Sequence, residues 1–232
     1  MGHRRVMPRT VAAVFAHPDD EVLGCGGALA LHADAGDAVW ILILATGAAS
    51  RGEDQSTHIT ELQGQARQAA EVLGAQGIEF RDFPDNRMDT VALLDVVKNV
   101  EQFLRGHPVD VIYTHHAGDM NIDHVVTHRA VATACRPTPG SRPVEILACE
   151  VNSSTEWAPP PLTPFVPADF LDISASLDRK VSALECYAGE LADWPHPRSG
   201  EGVRALARWR GTQAGMEAAE AFSLVRRVRH SL

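Results

Sequence analysis

Residues 38–46, AVWILILAT, are apolar almost without a break and rich in branched side chains. A strand of this kind is stable only when both of its faces are covered, the condition met inside a parallel sheet flanked by helices. The first two thirds of the chain keep to that plan. VAAVFA (11–16) reads as another buried strand, followed by a helix over 21–36 that closes at Gly36. A long amphipathic helix is expected over 58–73, ending at Gly74, then a strand at 78–83, a helix over 91–105 and a strand at 109–115. DHVVTHRAVATAC (123–135) reads as a helix and VEILACEV (144–151) as a strand. Alternation of this kind implies an α/β fold: one mainly parallel sheet with helices on both faces, in a single domain over 1–232.

Beyond 150 the pattern changes. APPPLTPFVP (158–167) is too rich in proline for regular helix, and an irregular loop or lid is expected over about 153–170. A helical C-terminal part is expected over about 174–222, with one helix over 176–190, capped by Ser176, and a second over 201–221.

With 232 residues, 45% hydrophobic and 22% charged, the chain has the composition of one globular domain with a substantial core. Its formal net charge of −9 argues against nucleic acid or an anionic membrane surface as a partner. Cys25, Cys135, Cys149 and Cys186 lie far apart with no CxxC pair, so they read as small buried hydrophobes in a reducing compartment. The amino end, MGHRRVMPRT, is basic, but the apolar run after it is too short for a signal-peptide core. No segment is long enough to insert across a bilayer. The expectation is a cytoplasmic protein acting on a small molecule, with homo-oligomerisation left open.

VFAHPDDEVLGCGG (14–27) crowds His17, Asp19, Asp20 and Glu21 at the end of the first strand. Charges this close repel one another and resist burial. A divalent cation resolves the conflict. His17 and Asp20 are spaced so that a tight turn aims both at one point, a ligand pair suited to Zn2+ and tolerated by Fe2+, Mn2+ or Co2+. Asp19 diverges from its neighbour and is free to face an activated water, as the base of a mononuclear hydrolase does. The competing reading is that Asp19 and Asp20 merely cap the next helix, where negative charge complements the dipole.

A third ligand is due from another strand end. THHAGDMNIDHVVTH (114–128) supplies His115, His116, His124 and His128. His124 stands at the start of a helix just beyond the rim. His128 lies one turn further, either as another ligand or as a helix-face histidine packed against the sheet. Asp123 or Asp119 is expected to orient an imidazole rather than to bind metal. Ligands on such sheets bind beyond the carboxyl ends of the strands, near a switch in strand order, so both clusters belong on one rim. GCGG lacks the spacing of a phosphate loop; its glycines read as points of close helix packing.

AHPDDEVLGCGG, followed downstream by GDMNIDH, resembles the PIG-L/LmbE family of metal-dependent N-deacetylases. The similarity continues through FPDNRMD (83–89), YTHH (113–116), HPRS (196–199) and AEAF (219–222). The resemblance implies a Rossmann-like α/β fold and zinc-dependent removal of an N-acetyl group from an N-acetylglucosamine-type sugar or glycoconjugate. An amidase acting on a non-sugar or thiol-conjugate N-acyl compound through the same site is the alternative. By position, the resemblance makes His17, Asp20 and His124 the ligands of one Zn2+ and Asp19 the general base. Several family members carry a histidine where this chain has Asn121. An amide can donate a hydrogen bond to an oxyanion but delivers no proton at neutral pH. The acid role then falls to Asp19 itself or to a residue such as His196 or His116. Arg51, which corresponds loosely to a substrate-contacting arginine of the family, and Arg87 are the candidate substrate-binding residues, with HPRS (196–199) beside them. The plainer reading of Arg51 is an ordinary surface arginine.

Overall fold

The computed structural model describes residues 7–45, 55–142 and 144–228. Strands β1 (Thr10–Phe15), β2 (Ala38–Ala45), β3 (Gly77–Phe83), β4 (Val111–His115) and β5 (Glu145–Cys149) run parallel, as the alternation predicts. β1 lies inside the sheet, with Val11 opposite Val39 of β2 on one side and Val111 of β4 on the other. Its side chains alternate between two cores. Val11, Ala13 and Phe15 pack with α1 (Asp20–Asp34), α2 (Gln55–Leu73) and α5 (Leu177–Glu185). Ala12 and Val14 pack with α3 (Leu93–Gly106) and α4 (Ile122–Ala134) on the opposite face. Both alternating sets must therefore be apolar, which is why the strand reads as an unbroken run.

The C-terminal third departs from the helical expectation. α6 (Gly200–Ala214) stops where Gly215 takes φ 73°, a left-handed conformation that costs glycine no Cβ clash. The chain then returns as β7 (Ala219–Arg226), antiparallel to β5, and β6 (Asp169–Asp172) pairs antiparallel with β7. The sheet order is β3-β2-β1-β4-β5-β7-β6. The helix expected over 201–221 thus ends early, and the one over 176–190 ends at Glu185. The reason lies in the neighbours of β7. It is flanked by strands on both sides and its first four residues are all buried, so no polar alternation separates it from helix. Ser176 occupies the N-cap position of α5, but its hydroxyl donates to the Gly27 carbonyl at 2.9 Å instead of capping.

Two details fix the site's surroundings. A Cβ on Gly27 would stand 2.8 Å from Ile173, so α1 needs glycine there to approach its neighbour. Between β5 and β6 the chain is irregular apart from a 3-10 turn at Thr155–Trp157. It lies over the exit of β4, where His116 Nε2 meets the Thr163 carbonyl at 3.0 Å. A Cβ on Gly118 would stand 2.0 Å from that carbonyl oxygen. Among the described residues no helix is long and apolar enough to cross a membrane.

Candidate metal centre and active site

Strand order switches between β1 and β4, and the crevice beyond their carboxyl ends is where such sheets bind ligands. The turn after β1 and the N-terminus of α4 meet there. One donor atom each from His17, Asp20 and His124 lies within 4.8 Å of the other two. Asp20 Oδ2 is 3.2 Å from His17 Nδ1 and 3.2 Å from His124 Nε2. Asp20 Oδ1 and His124 Nε2 are buried without a hydrogen-bond partner. The short Asp20–His124 distance is therefore proximity without hydrogen-bond geometry. Leaving such atoms unpaired costs about 1–3 kcal/mol each. Two imidazoles and a carboxylate around these orphaned atoms fit a divalent cation that takes nitrogen and oxygen ligands. His17, Asp85 and Asp123 form a second group of the same kind, sharing His17.

Each imidazole is held from behind by a carboxylate. His17 Nε2 lies 3.0 Å from Asp123 Oδ2 and 3.1 Å from Asp85 Oδ1. Asp123 in turn accepts from the backbone N–H of Asn86 at 2.7 Å and of Met88 at 2.9 Å. His124 Nδ1 lies 3.1 Å from Asp119 Oδ1, and Asp119 accepts from Ser154 Oγ and from Thr155 Oγ1 at 2.6 Å. With a cation bound, these carboxylates would keep the ring protons on His17 Nε2 and His124 Nδ1 and leave lone pairs on the Asp20 side. His115 stacks on His124 with centroids 3.7 Å apart, and its Nε2 accepts from the Ala16 N–H at 2.8 Å. Burial holds the His115 pKa well down, so this ring stays neutral.

The donor side chains carry opposite charges in close contact. Burial alone would lower the pKa of His124, but Asp20 and Asp119 outweigh it and raise the value to about 9. Burial likewise opposes charge on His17, yet bonds to Asp123, Asp20 and Asp85 hold its pKa well above the usual value. For Asp20, burial is overcome by His124 and His115, and its carboxyl is held well below the ordinary range. A cation would take the place of these protons.

Asp19 is turned away from Asp20 by its backbone. Its φ of 94° is a strained conformation for a residue with a Cβ. Its N–H donates to Glu21 Oε2 at 3.1 Å, and Glu21 Oε1 accepts from the Tyr187 hydroxyl at 2.5 Å. Burial raises the Asp19 pKa from 3.8 to about 7, against the lowering effect of Arg198, whose Nη1 is 3.2 Å from Asp19 Oδ2. Burial also pushes Glu21 up to about 8. A carboxyl titrating near 7 can accept and return a proton at neutral pH.

The donor atoms of His17, Asp20 and His124 converge, Asp19 lies beside them against Arg198, and Asp119 and Asp123 stand behind the two imidazoles. Asn121 caps α4: its Oδ1 accepts from the Asp123 N–H at 2.9 Å and its Nδ2 donates to Asn86 Oδ1 at 3.2 Å. His196 lies in the turn before α6, where Nδ1 accepts from the Arg198 N–H at 3.1 Å and the ring meets Trp157 edge-on at 6.0 Å. Arg87 is exposed beside Asn86 on the rim. Arg51 lies outside the described residues. His128 Nδ1 is 2.8 Å from the His115 carbonyl, so it packs on the end of β4. Sequence reasoning names Glu21 only as part of the crowding and Arg198 only within HPRS, and it misses Asp85. Arg198 stands in HPRS beside the more conspicuous His196, and only the folded chain brings it to Asp19.

A mainly parallel sheet flanked by helices, with a His–Asp–His donor set at its switch point, defines the class: a metal-dependent α/β enzyme. Residues 12–135, more than half of the chain, match the family described as PIG-L: GlcNAc-PI de-N-acetylase, and the chain belongs to that family. It is 31% identical over 226 residues to 4-oxalmesaconate hydratase of Pseudomonas putida, covering 89% of this chain and 81% of that protein. The crystal structure of GalB, the 4-carboxy-2-hydroxymuconate hydratase from Pseudomonas putida KT2440, matches with a TM-score of 0.79 at 27% identity, over 97% of this chain and 99% of that one. N,N'-diacetylchitobiose deacetylase from Pyrococcus horikoshii shares the fold with a TM-score of 0.76 at 18% identity, over 94% and 84% of the two chains. Deacetylases and hydratases thus share this architecture.

Proposed function

We propose that the protein is a Zn2+-dependent hydrolase that removes the N-acetyl group of an N-acetylglucosamine-type sugar or glycoconjugate. His17, Asp20 and His124 hold one cation per chain, with Fe2+, Mn2+ or Co2+ as substitutes. The observation that carries the reading is a carboxyl poised near pKa 7, Asp19, beside a largely buried His–Asp–His donor set with unpaired ligand atoms. When bound, the cation supplies Lewis-acid activation of a water and of the acyl oxygen. Asp19 takes the proton as the water attacks the acyl carbon. It then returns that proton to the departing nitrogen as the C–N bond breaks, giving acetate and a free amine. Asp19 carries both transfers because its carboxyl titrates near neutral pH, whereas Asn121 is engaged as a cap and has no proton to deliver. Arg87 on the rim, and Arg51, contact the sugar hydroxyls or a charged aglycone. Four free thiols suit the cytoplasm.

A second reading is addition of water across the C=C bond of an unsaturated carboxylate. The Arg198 guanidinium against Asp19 favours it, since a fixed cation suits an anionic substrate. One experiment separates the two. Zinc-loaded enzyme is offered a panel of N-acetylated sugars, scored by acetate release, and conjugated oxo-dicarboxylates, scored by loss of ultraviolet absorbance. Asp19→Ala should keep its zinc by elemental analysis and lose about 10²–10⁴-fold in turnover. Near-normal turnover in that variant ends the base assignment. Absorbance loss without acetate release replaces the first reading with the second.

A further inference from the structure

Three residues other than glycine carry positive φ among the described residues: Asp19 at 94°, Asn86 at 52° and Ser153 at 66°. All three border the site. Strained backbone persists where the surroundings over-determine it, and it clusters where function needs a fixed geometry. Asp19 is the base. Asn86 offers the N–H that fixes Asp123 behind His17. The Ser153 hydroxyl accepts from Arg198 Nε at 2.6 Å, so the third strained position serves an arginine that takes no part in the proton transfers of amide hydrolysis.

The contacts of Arg198 leave one edge open. Nε donates to Ser153, Nη1 donates to Asp19 Oδ2 at 3.2 Å, and Glu190 lies 3.8 Å from the same Nη1. Nη2 has no partner among the described residues. The side chain is 26% exposed, so it is not sealed inside the protein. A guanidinium is a rigid planar fork, and fixing Nε and Nη1 fixes the direction of Nη2 as well. Two neutral donors nearby are engaged, Asn121 Nδ2 with Asn86 and His116 Nε2 with the Thr163 carbonyl.

We propose that Arg198 is a catalytic residue whose Nη2 edge donates to the oxygen that becomes negative as water adds to the substrate. This rests on the reading of Asp19 as base. Attack forms one C–O bond, sends one water proton to Asp19 and moves a π pair onto the acceptor oxygen. In an amide that oxygen is the acyl oxygen; in an unsaturated carbonyl compound it is the oxygen conjugated with the C=C bond. One guanidinium touching the base then serves the proton acceptor and the developing charge together, and such donors act most strongly when held in place beforehand.

The test is calorimetric titration of zinc-loaded enzyme with methylphosphonate, a tetrahedral oxyanion the size of a hydrated acetyl group. Arg198→Met should weaken binding by about tenfold or more, with zinc content and Tm unchanged. Its kcat should fall about 10²–10³-fold. Guanidinium ion added to Arg198→Ala should restore part of the rate, which a merely structural arginine would not allow. Methylphosphonate affinity within twofold of wild type in Arg198→Met overturns the proposal. If the Arg198 variants unfold or lose zinc, Ser153→Gly decides, because it suits the positive φ and removes only the Nε acceptor. Weakened binding there supports the proposal, and unchanged binding overturns it. A wild type with no affinity for methylphosphonate removes the hydrolytic reading and this inference together. Arg198-dependent binding without acetate release from any acetylated sugar keeps the inference and removes the deacetylase reading.

Discussion

Burial, strain and charge coincide on the two residues either side of Asp20. Asp19 sits at positive φ and its N–H is held by Glu21, which is itself fully buried and bonded to Tyr187. Glu21 titrates near 4.5 in an unfolded chain and at about 8 in the folded metal-free protein, because burial disfavours its charge. Between those values the folded state holds a proton that the unfolded state has released. Stability from this group is therefore complete below about pH 4.5 and is lost as pH rises through about 8. At ~1.4 kcal/mol per tenfold in proton affinity, the effect reaches several kcal/mol at the top of that window. Glu21→Gln mimics the protonated form: its amide oxygen can accept from Asp19 and its NH2 can donate to Tyr187. The Tm of metal-free wild type should fall relative to Glu21→Gln between about pH 5 and pH 9. Asp19 titrates in the same sense in both proteins, so the difference reports Glu21 together with its coupling to Asp19. Parallel curves would remove Glu21 from the account.

At the scale of elements, α1 is two helical segments joined at Cys25, whose φ of −149° and ψ of 19° are not helical. The break leaves backbone groups to satisfy. Gly27 N–H and Ala28 N–H, at the start of the second segment, donate to the two oxygens of Glu220 at 2.8 and 2.7 Å. Lys180 Nζ donates to the Leu23 carbonyl at 2.8 Å and to Glu220 at 2.6 Å. The pair is almost wholly buried, so removing one partner strands the other charge. Lys180→Met should cost about 3–5 kcal/mol by urea denaturation, and Lys180→Met with Glu220→Gln should recover part of that loss. A single variant as stable as wild type would show that the break needs no ion pair. These contacts also mark what sequence can and cannot disclose. β1 to β5 and α1 to α4 are legible because the strands are apolar on both faces and Gly36 and Gly74 punctuate the helices. His17, Asp19 and Asp20 are legible because their crowding is local. β7 is not, for it carries no alternation. Arg198 meets Asp19 across 179 positions and Glu220 meets Gly27 across 193, and no local pattern announces such pairings.

For the whole molecule, the site is a joint between two halves of the sheet. His17 and Asp20 follow β1, His124 follows β4, and the N-termini of α1 and α4 both open on the crevice. Without a cation, three imidazoles crowd Asp20 Oδ2 within 3.4 Å while Asp20 Oδ1 and His124 Nε2 stay unpaired. An ion bound there relieves the crowding, satisfies the orphaned atoms and ties the two strand ends together. An unfolded chain cannot assemble those donors, so the binding free energy adds to stability: about 4 kcal/mol when free zinc is a thousandfold above Kd. A domain of this size gains roughly 2–4 °C in Tm per kcal/mol. Chelation should therefore lower Tm by roughly 8–16 °C under those conditions, and one equivalent of Zn2+ should restore it. His124→Ala should start near the chelated Tm and gain little from zinc. Recovery that needs two equivalents would bring the neighbouring His17–Asp85–Asp123 group into the centre. A Tm indifferent to both chelator and zinc would mean that the joint holds without a metal, and the mechanism built on it would fall.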